Sequence, residues 1–152
     1  MKKIAFPVMV MILIFVMTAA FAACDPRGSL SDEETRALYT EIKADLENES
    51  IWTRRIEVPN AQESNDETVA FVKASLELLR GSAPESLYGW WFNSKSYARF
   101  FSAEYNTEIA FEGHDYEVKA ITVAKYKSGD VDVSVRYSSE DSEEKTARIV
   151  IK

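Results

Sequence analysis

The spacing of the apolar residues changes along this chain from a helical period to a period of two. Leu38, Ile42 and Leu46 recur at every fourth position, and a second stripe of the same kind runs from Val69 to Leu79. From Thr107 onward, apolar and polar residues alternate. The first pattern is typical of helices with one buried face, and the second of strands with one buried face. Helices followed by strands indicate the α+β class.

Two helices have clear start signals. Ser31 and the glutamate three residues after it form the pattern of a capping box. This pattern predicts a helix over about Asp32 to Glu47. Ser64 begins a similar pattern, and Gly81 stands where a C-cap glycine belongs. These signals predict a second helix over about Asp66 to Arg80.

The aromatic segment that follows suggests a third helix. Ser94 is a candidate N-cap for a helix over about Lys95 to Tyr105. Its aromatic residues would share one face that packs into the core: Tyr97, Phe100, Phe101 and Tyr105. Upstream, the β-branched stretch Ile51–Val58 predicts an extended segment that Pro59 ends.

The remaining residues predict a β-meander. Short polar turns, one at Glu112–Asp115 and one at Ser128–Asp130, separate runs of alternating residues. The predicted strands are Thr107–Phe111, Tyr116–Lys127, Val131–Tyr137 and Lys145–Ile151. We therefore expect an antiparallel meander of three to four strands at the C-terminal end, with the N-terminal helices packed on one of its faces.

The first 24 residues have the three parts of a secretory signal. A basic start is followed by the apolar run Ile4–Met17 and by small residues that end at Ala23. Cys24, the only cysteine, comes next, and Phe21-Ala22-Ala23-Cys24 resembles the lipobox of bacterial lipoproteins, although Phe21 stands where that family usually has leucine. The resemblance implies a diacylglycerol on the Cys24 sulfur, usually with a further acyl group, and removal of residues 1–23.

This interpretation divides the chain into a signal peptide (1–23), a lipidated cysteine with a short linker (24–30) and one globular domain (31–152). Two alternatives stay open. Cleavage after Ala22 would release a soluble protein, and the run from Ile4 to Ala23 is about long enough to remain as a membrane anchor. In lipoproteins of enteric bacteria, an aspartate after the lipidated cysteine tends to keep the protein in the inner membrane. By this resemblance, Asp25 favours the periplasmic side of the inner membrane, with the outer membrane or cell surface as alternatives.

The expected mature region is acidic. Without Lys2 and Lys3 it has 16 basic and 25 acidic residues, a formal charge of −9. This charge argues against a nucleic-acid partner, which needs a basic surface, and against an extended contact with anionic headgroups. It is compatible with a basic protein partner or a cationic ligand, and also with solubility alone.

No catalytic or metal-binding motif stands out. His114 is the only histidine, and with Glu112 and Asp115 it would bind a metal only weakly, because zinc sites need three or four protein ligands. The acidic runs Asp32–Glu34 and Glu140–Glu144 fit a helix start and a solvated loop better than a catalytic carboxylate pair. We therefore expect no enzyme activity and no cofactor.

Tyr88, Trp90, Trp91 and Phe92 are the candidate binding residues. Core packing is the competing interpretation. Because adjacent residues point in different directions, burying both tryptophans would need cover on two sides.

The function expected from these observations is a lipid-anchored, non-catalytic binding domain of the bacterial cell envelope. Its partners would be the membrane, through the lipid on Cys24, and another envelope protein. The alternatives are a small-ligand or glycan-binding lipoprotein with an aromatic pocket, and an inhibitor or immunity-type lipoprotein.

Overall fold

Two helices and a seven-stranded antiparallel sheet form the fold of this chain in the computed structural model, which describes residues 27–59, 65–93, 97–141 and 143–152. The helices are α1 (Asp32–Glu47) and α2 (Asn65–Gly81), with a 3₁₀-helix at Glu49–Thr53. The strands are β1 (Arg27–Ser29), β2 (Ile56–Glu57), β3 (Ser86–Phe92), β4 (Ala98–Phe111), β5 (His114–Tyr126), β6 (Val131–Ser138) and β7 (Glu144–Ile151). Within these ranges, no helix has the length and apolar character needed to cross a bilayer.

The strand order is β1-β3-β4-β5-β6-β7-β2. Strands β3 to β7 form a continuous meander, and the two short strands from the N-terminal part of the chain pair with its two edges. The α+β class is therefore confirmed, whereas the predicted meander of three to four strands is too small. The additional strands are β1, β2 and β3, and β4 is much longer than expected.

Helix α1 begins and ends where the sequence predicts. The Glu34 amide donates to Ser31 Oγ at 3.2 Å, and the Ser31 amide donates to Glu34 Oε2 at 2.8 Å, so both halves of the capping box are present. The hydrogen bond from the Ser31 amide to the ionised carboxylate, followed by the Ser31 side chain, lowers the pKa of Glu34 below its usual value. Leu38, Ile42 and Leu46 form the buried face.

Helix α2 also agrees with the prediction to within one residue at each end. Its buried face includes Val72, Leu76 and Leu79. The predicted capping residue Ser64 lies outside the described residues.

The predicted third helix is wrong in the part of it that is described. Residues 98–105 belong to β4, and the strand continues without a break through the predicted short strand at 107–111. The four aromatic residues do not all share a face, because the alternation of a strand places Phe100 on the side opposite to Phe101 and Tyr105. Phe101 and Tyr105 are buried under the helices, Phe100 lies on the opposite face, and Tyr97 is 38% exposed.

Two shorter segments also differ from expectation. The first half of the predicted extended segment Ile51–Val58 is 3₁₀-helical, and only Ile56–Glu57 pairs with β7. Residues Arg27–Ser29, expected within the linker, form β1 and pair with Trp90–Phe92 of β3. The sheet therefore begins only three residues after Cys24.

The core lies between the helices and one face of the sheet. Phe101, Ile121, Val133 and Ile149, one from each of β4 to β7, have no exposed surface. Tyr39 of α1 covers Phe101 edge-on, with the ring centroids 5.2 Å apart.

The pairing of β4, β5 and β6 is irregular at one level of the sheet, on the side of the β4–β5 turn. Between matched positions, β4 has two residues (Tyr105 and Asn106) where β5 has only Lys119, and β6 has none. Extra residues of this kind bend the strand that carries them. Beyond the bend, Phe71 of α2 packs among three rings of the sheet, those of Phe111, Tyr116 and Tyr137.

Candidate binding surfaces

One face of the sheet carries no helix within the described residues, and we call it the open face. Alternation and register place Trp90, Phe100 and Thr122 on it, opposite to the core residues of the same strands. Where side-chain burial is described on this face, every side chain larger than alanine is at least partly exposed, whereas Ala98 and Ala124 lie buried between them. The open face is thus a surface built partly of large aromatic side chains.

The aromatic patch of the open face consists of Tyr88, Trp90, Phe92, Phe100 and Tyr126. The rings of Trp90 and Phe100, neighbours across β3 and β4, are parallel to within 5° with centroids 5.4 Å apart. Tyr88 is 54% exposed. Such a stack fixes the ring planes, so that the patch offers rigid apolar surface.

A shallow polar groove continues the open face beside the aromatic patch. It has a volume of about 230 Å³. The hydroxyls of Ser102 and Thr122 lie 3.0 Å apart in its floor. We call it the hydroxyl groove, and its lining residues are Ser102, Glu104, Ala120, Thr122, Ser134, Arg136 and Thr146.

Trp91 lies on the other face of β3. Its ring covers Gly28 of β1 so closely that a Cβ there would stand 2.5 Å from the ring atoms. Trp91 also borders a concavity of about 450 Å³ beside α1, together with Leu30 and Tyr97. The two tryptophans therefore point to opposite sides, and both are partly exposed.

A concavity of about 580 Å³ that is open to solvent lies at the end of the sheet where β1 begins, and we call it the basic cavity. Among the lining residues that the structure describes, Arg99, Lys125 and Lys127 carry charge and none is a carboxylate. The other lining residues are Asn93, Tyr97, Tyr126 and Gly129.

Two of these cations form ion pairs with carboxylates of α1. Lys125 Nζ lies 2.7 Å from Glu41 Oε1 and 2.6 Å from Asp45 Oδ2, and the Arg99 guanidinium lies 3.3 Å from Glu41. Partial burial works against the charged form of Lys125, but the two carboxylates outweigh it and raise its pKa. The Lys125 hydrogen bond, helped by Arg99, lowers the pKa of Glu41.

The ionisable residues that the sequence disfavours as sites do not come together in the structure. His114 is exposed at the start of β5, beyond the β4–β5 turn. Among the residues that the structure describes, no group of three or more His, Cys, Asp or Glu side chains is placed to hold a metal ion. Asp32–Glu34 form the exposed first turn of α1. In the second acidic run, Glu140, Asp141 and Glu143 are exposed between β6 and β7, and Glu144 begins β7. Cys24 lies outside the described residues.

Sequence reasoning missed several residues of these surfaces. The spacing of the aromatic residues predicts a helical core face for Phe100, and no sequence pattern singles out the cations Arg99, Lys125 and Lys127. The alternation of residues 120–126 and 131–137 was the available signal for the open face, but it does not reveal which strands become neighbours. The basic cavity had no local signal, because its residues come from two strands and the connections next to them.

Comparisons with known proteins add no relatives: no family model, no curated protein and no solved structure matches this chain.

Proposed function

We propose that this chain is a lipid-anchored binding protein of the bacterial cell envelope, modified at Cys24, which binds an envelope protein through the open face of its sheet. The observation that carries the binding proposal is the aromatic patch. Trp90 and Phe100 are stacked on a face that no described helix covers, next to a tyrosine that is 54% exposed.

Exposed rings are costly unless they serve an interaction. A completely buried aromatic side chain removes roughly 150–250 Å² from water, at about 25 cal/mol per Å². Tyr88 is exposed and the other rings of the patch are partly exposed, so a partner can still bury a fraction of that surface. Contiguous exposed apolar surface of this kind marks interaction sites on soluble domains. Aromatic residues are also enriched at the centres of protein interfaces.

The shape of the open face favours a macromolecule over a small apolar ligand. Sites for small molecules enclose about 300–1,000 Å³. The hydroxyl groove has about 230 Å³ and lies on an outer sheet face. A partner that covers both the patch and the groove would bury the rings and satisfy the exposed hydroxyls at the same time.

A glycan is the second candidate, because aromatic and hydroxyl groups are adjacent. In register, Tyr88 lies opposite Ser102, which lies opposite Thr122, and Thr122 lies opposite Ser134. One ring and three hydroxyls therefore form a line across four strands. A saccharide would stack on the ring and exchange hydrogen bonds with the hydroxyls.

The proposed anchor rests on the resemblance of residues 21–24 to a lipobox. A diacylglycerol tether, usually reinforced by a further acyl chain, holds a protein stably, whereas a single chain does not.

The test uses the full chain with its own signal, expressed in a bacterial host with a photocrosslinking residue in place of Tyr88. We expect a discrete protein adduct that disappears in the Trp90→Ala variant and persists in the Trp91→Ala variant. The Trp91 variant is the matched control, since it removes the same side chain from the opposite face.

Two further results separate the alternatives. A heterogeneous adduct that glycan-degrading enzymes collapse would favour the glycan candidate. The absence of any adduct at Tyr88, with adducts at exposed positions of α2 instead, would contradict a binding role for the open face. Intact mass and membrane fractionation of the Cys24→Ala variant test the anchor independently: membrane attachment that survives the change contradicts lipidation as the anchor.

A further inference from the structure

We infer that the basic cavity binds the phosphate of an anionic phospholipid in the same membrane that anchors the chain. The inference rests on the lipid anchor of the proposed function and does not depend on the open face. It assigns a ligand class to Arg99, Lys125 and Lys127, for which the binding proposal has no role.

The position of the cavity brings it to the membrane. Arg27 of β1, Phe92 of β3, Ala98 of β4 and Tyr126 of β5 lie in one row across the sheet. With neighbouring strands about 4.8 Å apart, the first and last strands of this row are separated by roughly 15 Å. The three residues from Cys24 to Arg27 reach at most about 10 Å. A lipid on Cys24 therefore keeps this end of the sheet, and the cavity in it, close to the headgroups.

The charge of the cavity suits a phosphodiester. Three cations and no carboxylate are among the described residues that line the cavity, and Glu41 and Asp45 pair with two of the cations from the side of α1. Arg99 and Lys125 are held in place by Glu41 and Asp45, so little side-chain freedom is lost when they bind. Lys127 is exposed and has no ion pair within the described ranges, which leaves its charge free for a ligand. Arginine and lysine are the usual phosphate-binding residues in proteins.

The size and the border of the cavity agree with this occupant. A volume of about 580 Å³ lies within the range of sites that accept small molecules or headgroups. Tyr97, which is 38% exposed, and Tyr126 border it. Tyrosine is enriched where proteins meet the membrane interface, because its ring is apolar and its hydroxyl is wet.

The opposite end of the sheet has the opposite charge. The hairpins 108–117 and 138–145 meet there, and Glu117 lies opposite Ser138. They carry eight acidic residues and a single lysine, Lys145. A negative membrane surface repels this end and attracts the other, so that the charge distribution orients the domain even though its net charge is negative. The proposed contact is one cavity, and not an extended contact of the kind that the net charge argues against.

The experiment uses the lipidated protein, purified from membranes and reconstituted in nanodiscs of phosphatidylcholine alone or of phosphatidylcholine with phosphatidylglycerol. Hydrogen exchange is measured at backbone amides 97–99 and 125–130. We expect about tenfold slower exchange in the anionic nanodiscs when the lipid is in tenfold excess over its Kd. Lys127→Gln should remove most of this protection. Lys145→Gln, which deletes the same charge at the opposite end, should leave it unchanged.

Four results would overturn the inference. The first two are equal protection in both kinds of nanodisc and no protection in either. The third is protection that Lys127→Gln leaves intact. The fourth is protection by inorganic phosphate in detergent without protection by phosphatidylglycerol, which would indicate a soluble anion instead. Intact mass of the same sample reports lipidation. An unlipidated mass would therefore contradict the proposed lipid anchor alone. In that case, vesicles of the two lipid compositions, added to the soluble chain, would still test phosphate binding by the basic cavity.

Discussion

The side chain of Thr35 in α1 fills the space that any side chain at residue 89 of β3 would need. Thr35 is buried, and its hydroxyl donates to the Ser31 carbonyl at 2.8 Å, which fixes its rotamer. A Cβ on Gly89 would stand 2.9 Å from Thr35 Cγ2 and closer still to its hydroxyl. The glycine therefore sets how closely the helix approaches the sheet beside the tryptophans.

Gly89→Ala should lower the free energy of unfolding by about 1–3 kcal/mol, the usual cost of overpacking. Urea denaturation measures it. Gly81→Ala is the control, because a Cβ at that position meets nothing within 4 Å. An unchanged midpoint for Gly89→Ala would mean that α1 moves away from β3 without cost.

Tyr105→Phe should leave the stability unchanged or raise it slightly. The Tyr105 hydroxyl is buried beside Tyr39 without a hydrogen bond of adequate geometry, and its burial raises its pKa. An unsatisfied buried hydroxyl costs about 1–3 kcal/mol, so its removal loses nothing.

Tyr39→Phe is the matched comparison for that variant. The Tyr39 hydroxyl donates to the Leu79 carbonyl at 3.2 Å and links α1 to α2. Its loss should cost about 0.5–1.5 kcal/mol in the same denaturation experiment. If Tyr105→Phe proved the more damaging of the two, the Tyr105 hydroxyl would have a partner, such as a buried water.

Trp90→Ala and Phe101→Ala should differ sharply in stability, because the two residues lie on neighbouring strands but their side chains point to opposite faces of the sheet. Phe101 has no exposed surface, and its truncation should cost about 3–5 kcal/mol. Trp90 is partly exposed, so losing its stack on Phe100 should cost only about 1–2 kcal/mol. Equal losses would make Trp90 a core residue and remove the main argument for a binding surface.

Acid should destabilise the wild-type protein more than the Glu41→Gln variant. The folded state lowers the pKa of Glu41, so the unfolded chain takes up the proton first as the pH falls. The stability that Glu41 contributes is therefore complete above its unfolded pKa of about 4.3 and is lost below it. Because 40% of the side chain is exposed, we expect a contribution below about 1 kcal/mol.

Urea midpoints between about pH 6 and pH 3 measure this difference. Glu108→Gln, on the exposed part of β4, is the control and should follow the wild-type curve. A Glu41→Gln curve parallel to wild type at every pH would show that the ion pairs with Lys125 and Arg99 do not hold the Glu41 pKa down.

The two helices were predictable because their signals are local. The signals for α1 all lie in or next to that helix: Ser31, Glu34 and the fourfold spacing from Leu38 to Leu46. Each of them favours the helix through contacts with residues close by in the sequence. The β5–β6 hairpin was predictable for the same reason, since its short turn contains Gly129, which has a φ of 94°.

The predicted third helix failed because the spacing of its aromatic residues also fits a strand. A spacing of four residues separates Tyr97, Phe101 and Tyr105, and it fits the helical period as well as the period of two. Only the position of Phe100 distinguishes a helix from a strand here. The outcome was decided by pairing with β3 and β5, which local sequence does not encode. Strand β1 was missed because three residues carry no period at all, and its place depends on Trp90–Phe92, more than 60 positions later.

The incorporation of β1 into the sheet has a mechanical consequence. Arg27 is the first residue of a strand that runs antiparallel to β3, so a pull on the N-terminal side of that strand acts along its axis. Hydrogen bonds loaded in this direction share the force, whereas bonds pulled from the side break one after another. A chain tethered at Cys24 would therefore transmit tension from the bilayer into β3 by shear, and Trp91, whose ring lies over Gly28, would resist the sliding of one strand past the other.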